Sequence, residues 1–458
     1  MDLDWRAIDR YLIGESWANS KILDHAQVLC QKIGPRWSSS EAESKAIRYI
    51  YEQMMASGLD CTETEPFNLH TWSYNKSEAL KSDGKPFDLV PFNFCQPCKL
   101  KAPLVDVGFG TFRELGAETD RLNGSIAIMN LSYEPFTTPI PHSTRLEAIA
   151  KLGAVAVVCV DPKTGRRAEY HNSWELRDIG IAKPPLPAVT TSKEHGIFFR
   201  HMASKGEHLQ LTVESQFYDA PSANVVGHLT GTLWPQEHIV LGGHHDTVLD
   251  TPGGNDNASG TIAVLETGRV LAALKKELGV SPGRNIRFVT FSAEEQAFQG
   301  AIAYILRHYG PEQPPHLVIN LDELSTGHFK GIVLAFPHLQ DFVQAQLNTM
   351  DDALQCYVMA QLDTTSDHFP FLQQAIDTAH LWRWRFHGRH AESDYHHEKA
   401  DTIDKLNIRE LKEYVGQLAR LLLRLSHQPS ETWPDNPLSK NTVQKRLDQE
   451  RGTAVRLY

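Results

Sequence analysis

The chain has 458 residues, of which 41% are hydrophobic and 22% are charged, a composition typical of folded globular proteins. It carries 45 Lys and Arg residues against 56 Asp and Glu residues, which gives a formal net charge of −11. This balance argues against a nucleic-acid-binding or membrane-surface protein, because both classes need clustered basic residues. We therefore expect neither a nucleic-acid partner nor a membrane partner.

The length exceeds the ~250–300 residues at which a single hydrophobic core tends to split, so more than one domain is expected. The N-terminus lacks a basic region followed by an apolar run, and no apolar stretch approaches the ~20 residues of a membrane span. These features predict a cytoplasmic protein. Cys95 and Cys98 form an isolated C-x-x-C pair, which we interpret as two reduced cysteines in a loop.

Residues 41–57 have the apolar spacing of an amphipathic helix, with Ser40 and Glu43 as a capping box and Gly58 as the stop. The sequence from about 60 to 100 is irregular and rich in Pro, Asn and Lys, which favours a segment that crosses between domains. From 100 to 217 apolar strands alternate with helices and carry no obvious chemistry. This stretch is predicted to be a small inserted α/β domain.

Beyond residue 220 the rhythm becomes strand, loop and helix, beginning with EHIVLGG and continuing through NIRFVTFS and HLVINLD. Such alternation predicts a mostly parallel central sheet with helices on both faces. A long amphipathic helix is expected over residues 408–427. The predicted catalytic domain is therefore discontinuous, spanning 1–70 and 220–428, and residues 429–458 are expected to form an extended or poorly ordered polar tail.

Polar residues directly follow these apolar strands, at the sheet edge where ligands bind in α/β proteins. A Glu-Glu or His-His pair alone is more often a solvated turn or a structural feature. Several carboxylates brought to one edge, however, would repel one another unless cations lay among them. The residues concerned are His244, His245, Asp246, Asp256, Glu294, Glu295, Asp322, Glu323 and, far downstream, His397.

Two imidazoles with three carboxylates suit zinc rather than calcium or magnesium, which prefer all-oxygen shells. In chain order, the strings GGHHDTVLDTPGGNDNASG, FSAEEQAFQG, NLDE, SDHFPF and HHEKADTIDK resemble the co-catalytic zinc aminopeptidase and carboxypeptidase family. That family includes bacterial leucine aminopeptidases, carboxypeptidase Q and glutamate carboxypeptidase II. The opening IGPRWSSSEAESKAI looks like the carboxypeptidase Q branch, and the middle segment resembles a protease-associated domain.

The resemblance implies a zinc exopeptidase fold, two zinc ions per chain and a peptide substrate. It makes His244 and Asp322 ligands of one zinc, Glu295 and His397 ligands of the other, and Asp256 the bridge. His397 is chosen over His396 because the family's ligand lies four residues before the Asp of Asp-Thr, here Asp401. Asp246 would orient the His244 ring, and Glu294 would be the general base.

The resemblance leaves specificity open. Aminopeptidase activity is favoured as the commonest in the family, with carboxypeptidase Q-like dipeptidase or carboxypeptidase activity as the alternative, and it allows a homodimer without requiring one. Glu323 departs from the usual apolar residue at its position and would add negative charge near the metals. Asp367 and His368 in SDHFPF would support the metal ligands or line the pocket, and a purely structural role is an equal alternative.

Three other interpretations remain. A glutaminyl-cyclase-like acyltransferase shares the fold but typically uses one zinc, and the inserted domain and five ligands favour a hydrolase. The aminoacylase and dipeptidase family has a similar His-x-Asp and Glu-Glu but fits PGGNDNASG and HHEKADT less well. Receptor-like relatives keep the fold and lose the ligands, whereas this sequence retains all five.

Three arginines stand just before His397, in a loop that by resemblance borders the substrate pocket: Arg383, Arg385 and Arg389. The plain interpretation is a solvated basic loop. The functional hypothesis is that one guanidinium forms a bidentate pair of hydrogen bonds with a substrate carboxylate, since the geometry of Arg matches that of a carboxylate.

Each of these arginines is replaced by alanine in turn. At the arginine that contacts the substrate carboxylate, the change should raise KM for free dipeptides by ~10-fold to 100-fold, because a charge-assisted hydrogen bond contributes ~1.5–3 kcal/mol. Neutral aminoacyl amides should be hydrolysed as before, because they lack the carboxylate. If all three variants treat both substrate types alike, the loop does not recognise the carboxylate and aminopeptidase activity gains support.

Overall fold

The computed structural model describes residues 3–80, 84, 86–172, 183–310, 312–324, 329–350, 356–381 and 395–450. The chain divides into two compact units. Unit 1 comprises the described residues within Met1–Leu69, Pro221–Arg385 and Ala400–Gln449. Unit 2 comprises those within His70–Ala220, Phe386–Lys399 and Glu450–Tyr458.

Unit 1 opens with three helices, of which the last is the predicted amphipathic helix. Ser40 caps it by accepting from the Glu43 backbone nitrogen (3.0 Å), and Gly58 follows its end with φ +85°. The Glu43 carboxylate accepts instead from Ser39 N (2.7 Å), while Ser40 N donates to Trp37 O, so the predicted capping box forms only in part. The helices are α1 (Trp5–Ala18), α2 (Ile22–Ala26), which continues into a π-helical turn (Gln27–Ile33), and α3 (Glu41–Ala56).

The prediction of an irregular segment from 60 to 100 is wrong, because a 20-residue strand, β1 (Cys61–Leu80), begins there. Its buried positions include the polar residues Thr62, Glu65 and Thr71. The strand therefore lacks the alternation of apolar and polar residues that predicts a β-strand from sequence. Two short strands follow, β2 (Pro86–Asp88) and β3 (Val90–Pro91).

Unit 2 contains a sheet in the order β8-β4-β5-β6-β7-β3, with parallel pairing from β4 through β7. Both faces are buried: Ile126 and Ile128 point into one apolar cluster, and Ala127 and Met129 into another. Its likeness to a protease-associated domain stays a prediction. The remaining elements are β4 (Cys98–Asp106), α4 (Phe112–Ala117), α5 (Thr119–Leu122), β5 (Ile126–Asn130), α6 (His142–Lys151), β6 (Ala156–Val160), β7 (Ala188–Thr191), α7 (Lys193–Ser204) and β8 (His208–Leu229), whose last residues belong to unit 1.

The sheet of unit 1 runs β13-β12-β14-β11-β9-β10-β8, and its pairs are parallel except β12 with β14 and β10 with β8. The predicted mostly parallel sheet is confirmed. The elements are β9 (Trp234–His244), α8 (Ser259–Leu278), β10 (Arg284–Phe291), α9 (Gln299–His308), β11 (Val318–Asn320), β12 (Gly331–Leu334), α10 (Gln340–Asn348), β13 (Tyr357–Ala360), α11 (His368–Gln373), β14 (Thr378–Leu381), α12 (Ile408–Ser426) and α13 (Lys440–Glu450).

Helices cover both faces of this sheet. On one face Ile239 and Leu241 of β9 share an apolar core with residues of α8 and α12. On the other face the Phe291 ring packs against Tyr304 of α9 and Phe371 of α11, with ring centroids 5.8 and 5.9 Å apart. Because the strands are buried on both sides, their ends at one edge are where polar side chains can gather.

The predicted extended tail is wrong over residues 440–450, which form α13. Val443 and Leu447, four residues apart, are both buried, and this helical pair is too short an apolar signal to stand out in a polar sequence. Among the described helices, none is long and apolar enough to cross a membrane.

A buried ion pair joins the first and the long C-terminal helix of unit 1. The Arg424 guanidinium forks onto Asp9 with two 2.8 Å hydrogen bonds, and Arg420 donates a third of 3.0 Å. Burial raises the pKa of Asp9, but the hydrogen bonds from Arg424 and Arg420 outweigh it and leave that pKa below its ordinary value.

Asp9→Ala should lower the free energy of unfolding by about 2–3 kcal/mol, because two buried guanidinium groups lose their counter-ion. Glu41→Ala, which removes an exposed i,i+4 pair with Lys45, is the control and should leave the urea midpoint unchanged. Urea unfolding followed by circular dichroism compares the two. Equal midpoints for both variants would contradict a stabilising role for the Asp9 pair.

Candidate metal centre

Three parallel strands end at one edge of the unit 1 sheet and bring the predicted ligands together. His244 is the last residue of β9 and pairs with Phe291, so Glu294 and Glu295 follow at the same level. Asn320 of β11 pairs with Gly242, which brings Asp322 level with His244. Neighbouring strands of the sheet thus deliver these side chains to a common point.

The His244 ring is the centre of the cluster. Its Nε2 lies 3.2 Å from Asp256 Oδ1, 3.5 Å from Asp322 Oδ1 and 3.9 Å from Glu294 Oε2. Two groups of potential metal ligands share this histidine, one with Asp256 and Asp322 and one with Glu294 and Glu295. Every member is at most 9% exposed. Four carboxylates therefore surround one imidazole in a water-poor site.

The tautomer of His244 is set by its neighbour two residues on. Its Nδ1 donates to the Asp246 carbonyl oxygen (3.2 Å) and lies 3.3 Å from the Asp246 carboxylate, so the lone pair is left on Nε2. The same carboxylate accepts from the backbone nitrogens of Glu294 (3.2 Å) and Glu295 (3.3 Å). Asp246 thus fixes both the ring and the Glu-Glu turn.

The excess of negative charge is visible in the ionisation of the cluster. Burial lowers the pKa of His244, but the Glu294 carboxylate and contacts with Asp246, Asp256 and Asp322 outweigh it and raise that pKa well above its ordinary value. Burial, then Glu295, raises the pKa of Glu294 well above its ordinary value, although His244 opposes this. Such a site is stabilised by added positive charge.

The donors fit a bound divalent cation. Among the described residues, His244 Nε2 and both carboxylate oxygens of Asp367 are buried polar atoms that make no hydrogen bond. A buried polar atom without a hydrogen bond is costly unless another partner satisfies it. One imidazole with several carboxylates is a set that zinc and related metals accept, so the residues present suit the predicted ions.

Asp367 is part of the same electrostatic environment. It is fully buried, and burial raises its pKa well above the ordinary value, with His244 opposing and Asp246 and Asp322 adding to the rise. His368 instead directs its Nε2 to the Asp363 carbonyl oxygen (3.1 Å). Of the two predicted SDHFPF residues, only Asp367 therefore belongs to the cluster.

Arg36 is a supporting residue that sequence analysis did not single out. Its side chain is fully buried, and its backbone nitrogen donates to Thr247 Oγ1 (2.8 Å). The guanidinium ties the loops on either side of the ligands to the N-terminal segment. It donates to the carbonyl oxygens of His245, Leu29, Gly34, Pro252 and Gly253, at 2.7–3.2 Å.

Glu43 is a second residue whose role sequence analysis missed. Its carboxylate accepts from Ser222 Oγ (2.7 Å) and from Ser292 Oγ, directly before the Glu-Glu turn. Ser38 Oγ then accepts from Ala293 N (2.9 Å). The capping pattern identified Glu43 as a helix residue, and only the fold reveals that it also supports the turn that carries Glu294.

Asp401, four residues after His397 in the sequence, holds the loop of Asp256. Its two carboxylate oxygens accept from the backbone nitrogens of Asn255 (2.8 Å) and Asp256 (2.9 Å). Asn257 accepts from Gly260 N (2.8 Å) at the start of α8 and donates to Leu321 O (2.9 Å). These bonds bring the Asp256 loop close to the end of β11.

Two glycines permit this close approach. A Cβ atom at Gly243 or at Gly260 would collide with the Leu321 carbonyl oxygen. The glycines of GGHHD and NASG are therefore required by packing between the strand ends and α8.

The remaining predicted residues are two histidines, Glu323 and three arginines. His397 belongs to unit 2 and is 8% exposed, and His245 turns to Thr290 Oγ1 (3.2 Å), away from the other ligands. Glu323 is buried and has φ +52°, with its nitrogen 3.3 Å from Asn257 Oδ1. Arg383, Arg385 and Arg389 lie outside the described residues.

Comparison with known proteins agrees with the geometry. The profile of peptidase family M28 matches residues 224–422, a segment that contains the clustered candidate ligands and His397. Residues 224–422 belong to peptidase family M28. The mostly parallel α/β fold and the predicted family of zinc exopeptidases are thereby confirmed for this segment.

The names of the curated proteins that this chain resembles include two activities. Carboxypeptidase Q of Mus musculus is 26% identical over 305 residues, covering 64% of this chain and 63% of that protein. Aminopeptidase YwaD of Bacillus subtilis (strain 168) is 24% identical over 399 residues, covering 84% of this chain and 80% of that protein. The chain thus spans slightly less than two thirds of the carboxypeptidase Q sequence.

Solved structures show the same fold. A peptidase M28 precursor from Shewanella amazonensis SB2B superimposes with a TM-score of 0.75 at 20% identity, covering 95% of this chain and 99% of that one. A zinc aminopeptidase from Bacillus subtilis gives a TM-score of 0.69 at 21% identity, covering 92% and 96%. At these identities the likeness establishes the fold alone.

Asp256→Ala should strongly lower the metal content of purified protein, because the carboxylate nearest to His244 Nε2 is lost. His245→Gln is the control: its ring turns away from the other ligands, so metal content should be retained even if stability falls. Inductively coupled plasma mass spectrometry measures metal per chain. Loss of metal in His245→Gln but not in Asp256→Ala would contradict the assigned site.

Proposed function

We propose that this protein is a zinc-dependent exopeptidase that binds two zinc ions and removes residues from the free end of peptides, with aminopeptidase activity favoured. The observation that carries the proposal is the convergence of His244, Asp256, Glu294, Glu295 and Asp322 on one buried point within an M28 domain. The zinc aminopeptidase from Bacillus subtilis with the same fold supports the choice of metal. The count of two ions rests on the sequence prediction, in which His244 serves one ion and His397 the other.

When bound, zinc supplies Lewis-acid chemistry: it polarises a scissile carbonyl and makes a water more acidic. His244, Asp256, Glu295 and Asp322 hold the ions, and Asp246 keeps the His244 lone pair directed at them. Glu294 takes a proton from the attacking water and returns it to the leaving amine. Its Oε2 lies 3.9 Å from His244 Nε2, beside the residues that would hold the ions.

A carboxypeptidase Q-like dipeptidase is the second candidate. It is favoured by the 26% identity to carboxypeptidase Q, which is higher than the identity to the bacterial aminopeptidase. The match to carboxypeptidase Q covers a smaller part of this chain, however. The two activities differ in which substrate terminus must be free. A panel of aminoacyl amides, free dipeptides and N-blocked peptides therefore separates them, and an aminopeptidase should cleave the amides and reject every N-blocked substrate.

Glu294→Gln should retain its zinc and lose several orders of magnitude in kcat, because glutamine cannot accept the proton. Glu277→Gln, a matched change at an exposed glutamate, should keep wild-type kcat and zinc. Steady-state kinetics on the cleaved substrate and metal analysis are made on the same samples. A Glu294→Gln variant with near-wild-type kcat would show that another group is the base.

A further inference from the structure

The segment that carries His397 is held within unit 2 by an unusually complete set of contacts. The Tyr170 backbone nitrogen donates to the His397 carbonyl oxygen (2.9 Å), and His397 Nδ1 donates to the Tyr170 carbonyl oxygen (3.2 Å). His397 adopts φ +55°, a left-handed conformation that these bonds hold in place. Because Nδ1 carries the proton, the lone pair of the ring lies on Nε2.

The next residue, Glu398, is anchored by two cations. Arg167 forks onto its carboxylate through Nε (2.6 Å) and Nη2 (2.9 Å), and Lys163 Nζ contacts the same carboxylate. Glu398 is 2% exposed and Lys163 5%. The Arg167 guanidinium also lies 4.6 Å from the Tyr395 ring centroid. Such buried, forked contacts restrict the backbone on either side far more than a surface ion pair would.

The loop that supplies these cations is itself fixed. Asp161 accepts from the backbone nitrogens of Lys163 (2.8 Å) and Glu169 (3.2 Å). Lys163 Nζ lies 2.8 Å from Glu169 Oε2 and 3.9 Å from Asp161 Oδ2, so three carboxylates surround one ammonium group. Burial lowers the pKa of Lys163, but Glu169, Asp161 and Glu398 outweigh it and raise that pKa. The lysine is the cation of this cluster.

We propose that Lys163, Arg167 and Tyr170 are positioning residues that hold His397 with Nε2 ready for a metal ion, so that they set the affinity of the ion that His397 binds. This inference rests on the proposed function, in which His397 is a zinc ligand. Tyr170 selects the tautomer and the ring orientation. The basic clamp, Lys163 and Arg167 on Glu398, fixes the backbone beside the ring.

Arg167→Leu should weaken the binding of one of the two zinc ions by ~10-fold to 100-fold and leave the affinity for the other ion unchanged. Loss of a contact that orients a metal ligand usually has an effect of this size. Zinc alone is titrated into metal-free full-length protein against a chromophoric chelator. Arg113→Leu, at an exposed arginine of unit 2, is the matched control and should bind both ions as the wild type does. Activity lost at limiting zinc should return at saturating zinc.

Arg167→Lys keeps the positive charge but cannot form two parallel hydrogen bonds with the carboxylate, so it should weaken zinc binding to an intermediate degree. This variant provides the test if Arg167→Leu fails to fold. Wild-type affinity for both ions in folded Arg167→Leu and Arg167→Lys would overturn the inference, and so would equal weakening of both ions. Wild-type protein that binds fewer than two zinc ions would refute the proposed function as well. Two tight sites in the wild type, unchanged in the variants, would refute only the inference.

Discussion

The crowding of buried carboxylates around the His244 ring is the constraint on which the rest of the structure depends. At short range in a water-poor site, like charges repel strongly unless a cation lies among them. The chain therefore has to hold its ligand loops in place by other means. It does so mainly with bonds between charged side chains and backbone groups: Arg36 with carbonyl oxygens, and Asp246 and Asp401 with backbone nitrogens.

Much of the ligand set could be predicted from the sequence, because apolar strands followed at once by His, Asp or Glu are a local pattern. His244, Glu294, Glu295 and Asp322 were identified in this way, and the fold brings them together. Arg36 could not be predicted, since three of its carbonyl partners lie more than 200 residues away. Neither pattern nor propensity encodes such a contact.

Errors in the predicted elements have related causes. The strand at Cys61–Leu80 buries threonine and glutamate, so hydropathy did not indicate it, and the helix at Lys440–Glu450 has only two buried apolar residues. Glu43 was given a local capping role, although its carboxylate also supports the Ser292 turn. In each case tertiary contacts, absent from the local sequence, decided the outcome.

Unit 1 provides four of the five proposed ligands and the base, whereas unit 2 contains His397 and the contacts that orient it. The proposed positioning role would account for the charged residues of 161–170, a segment that carries no catalytic motif. The most direct test is anomalous diffraction at the zinc edge from crystals of the wild-type protein. The account predicts two anomalous peaks, each at the zinc–oxygen bond distance of ~2.0–2.2 Å from an oxygen of the Asp256 carboxylate. A single peak, or no peak beside this carboxylate, would contradict the account.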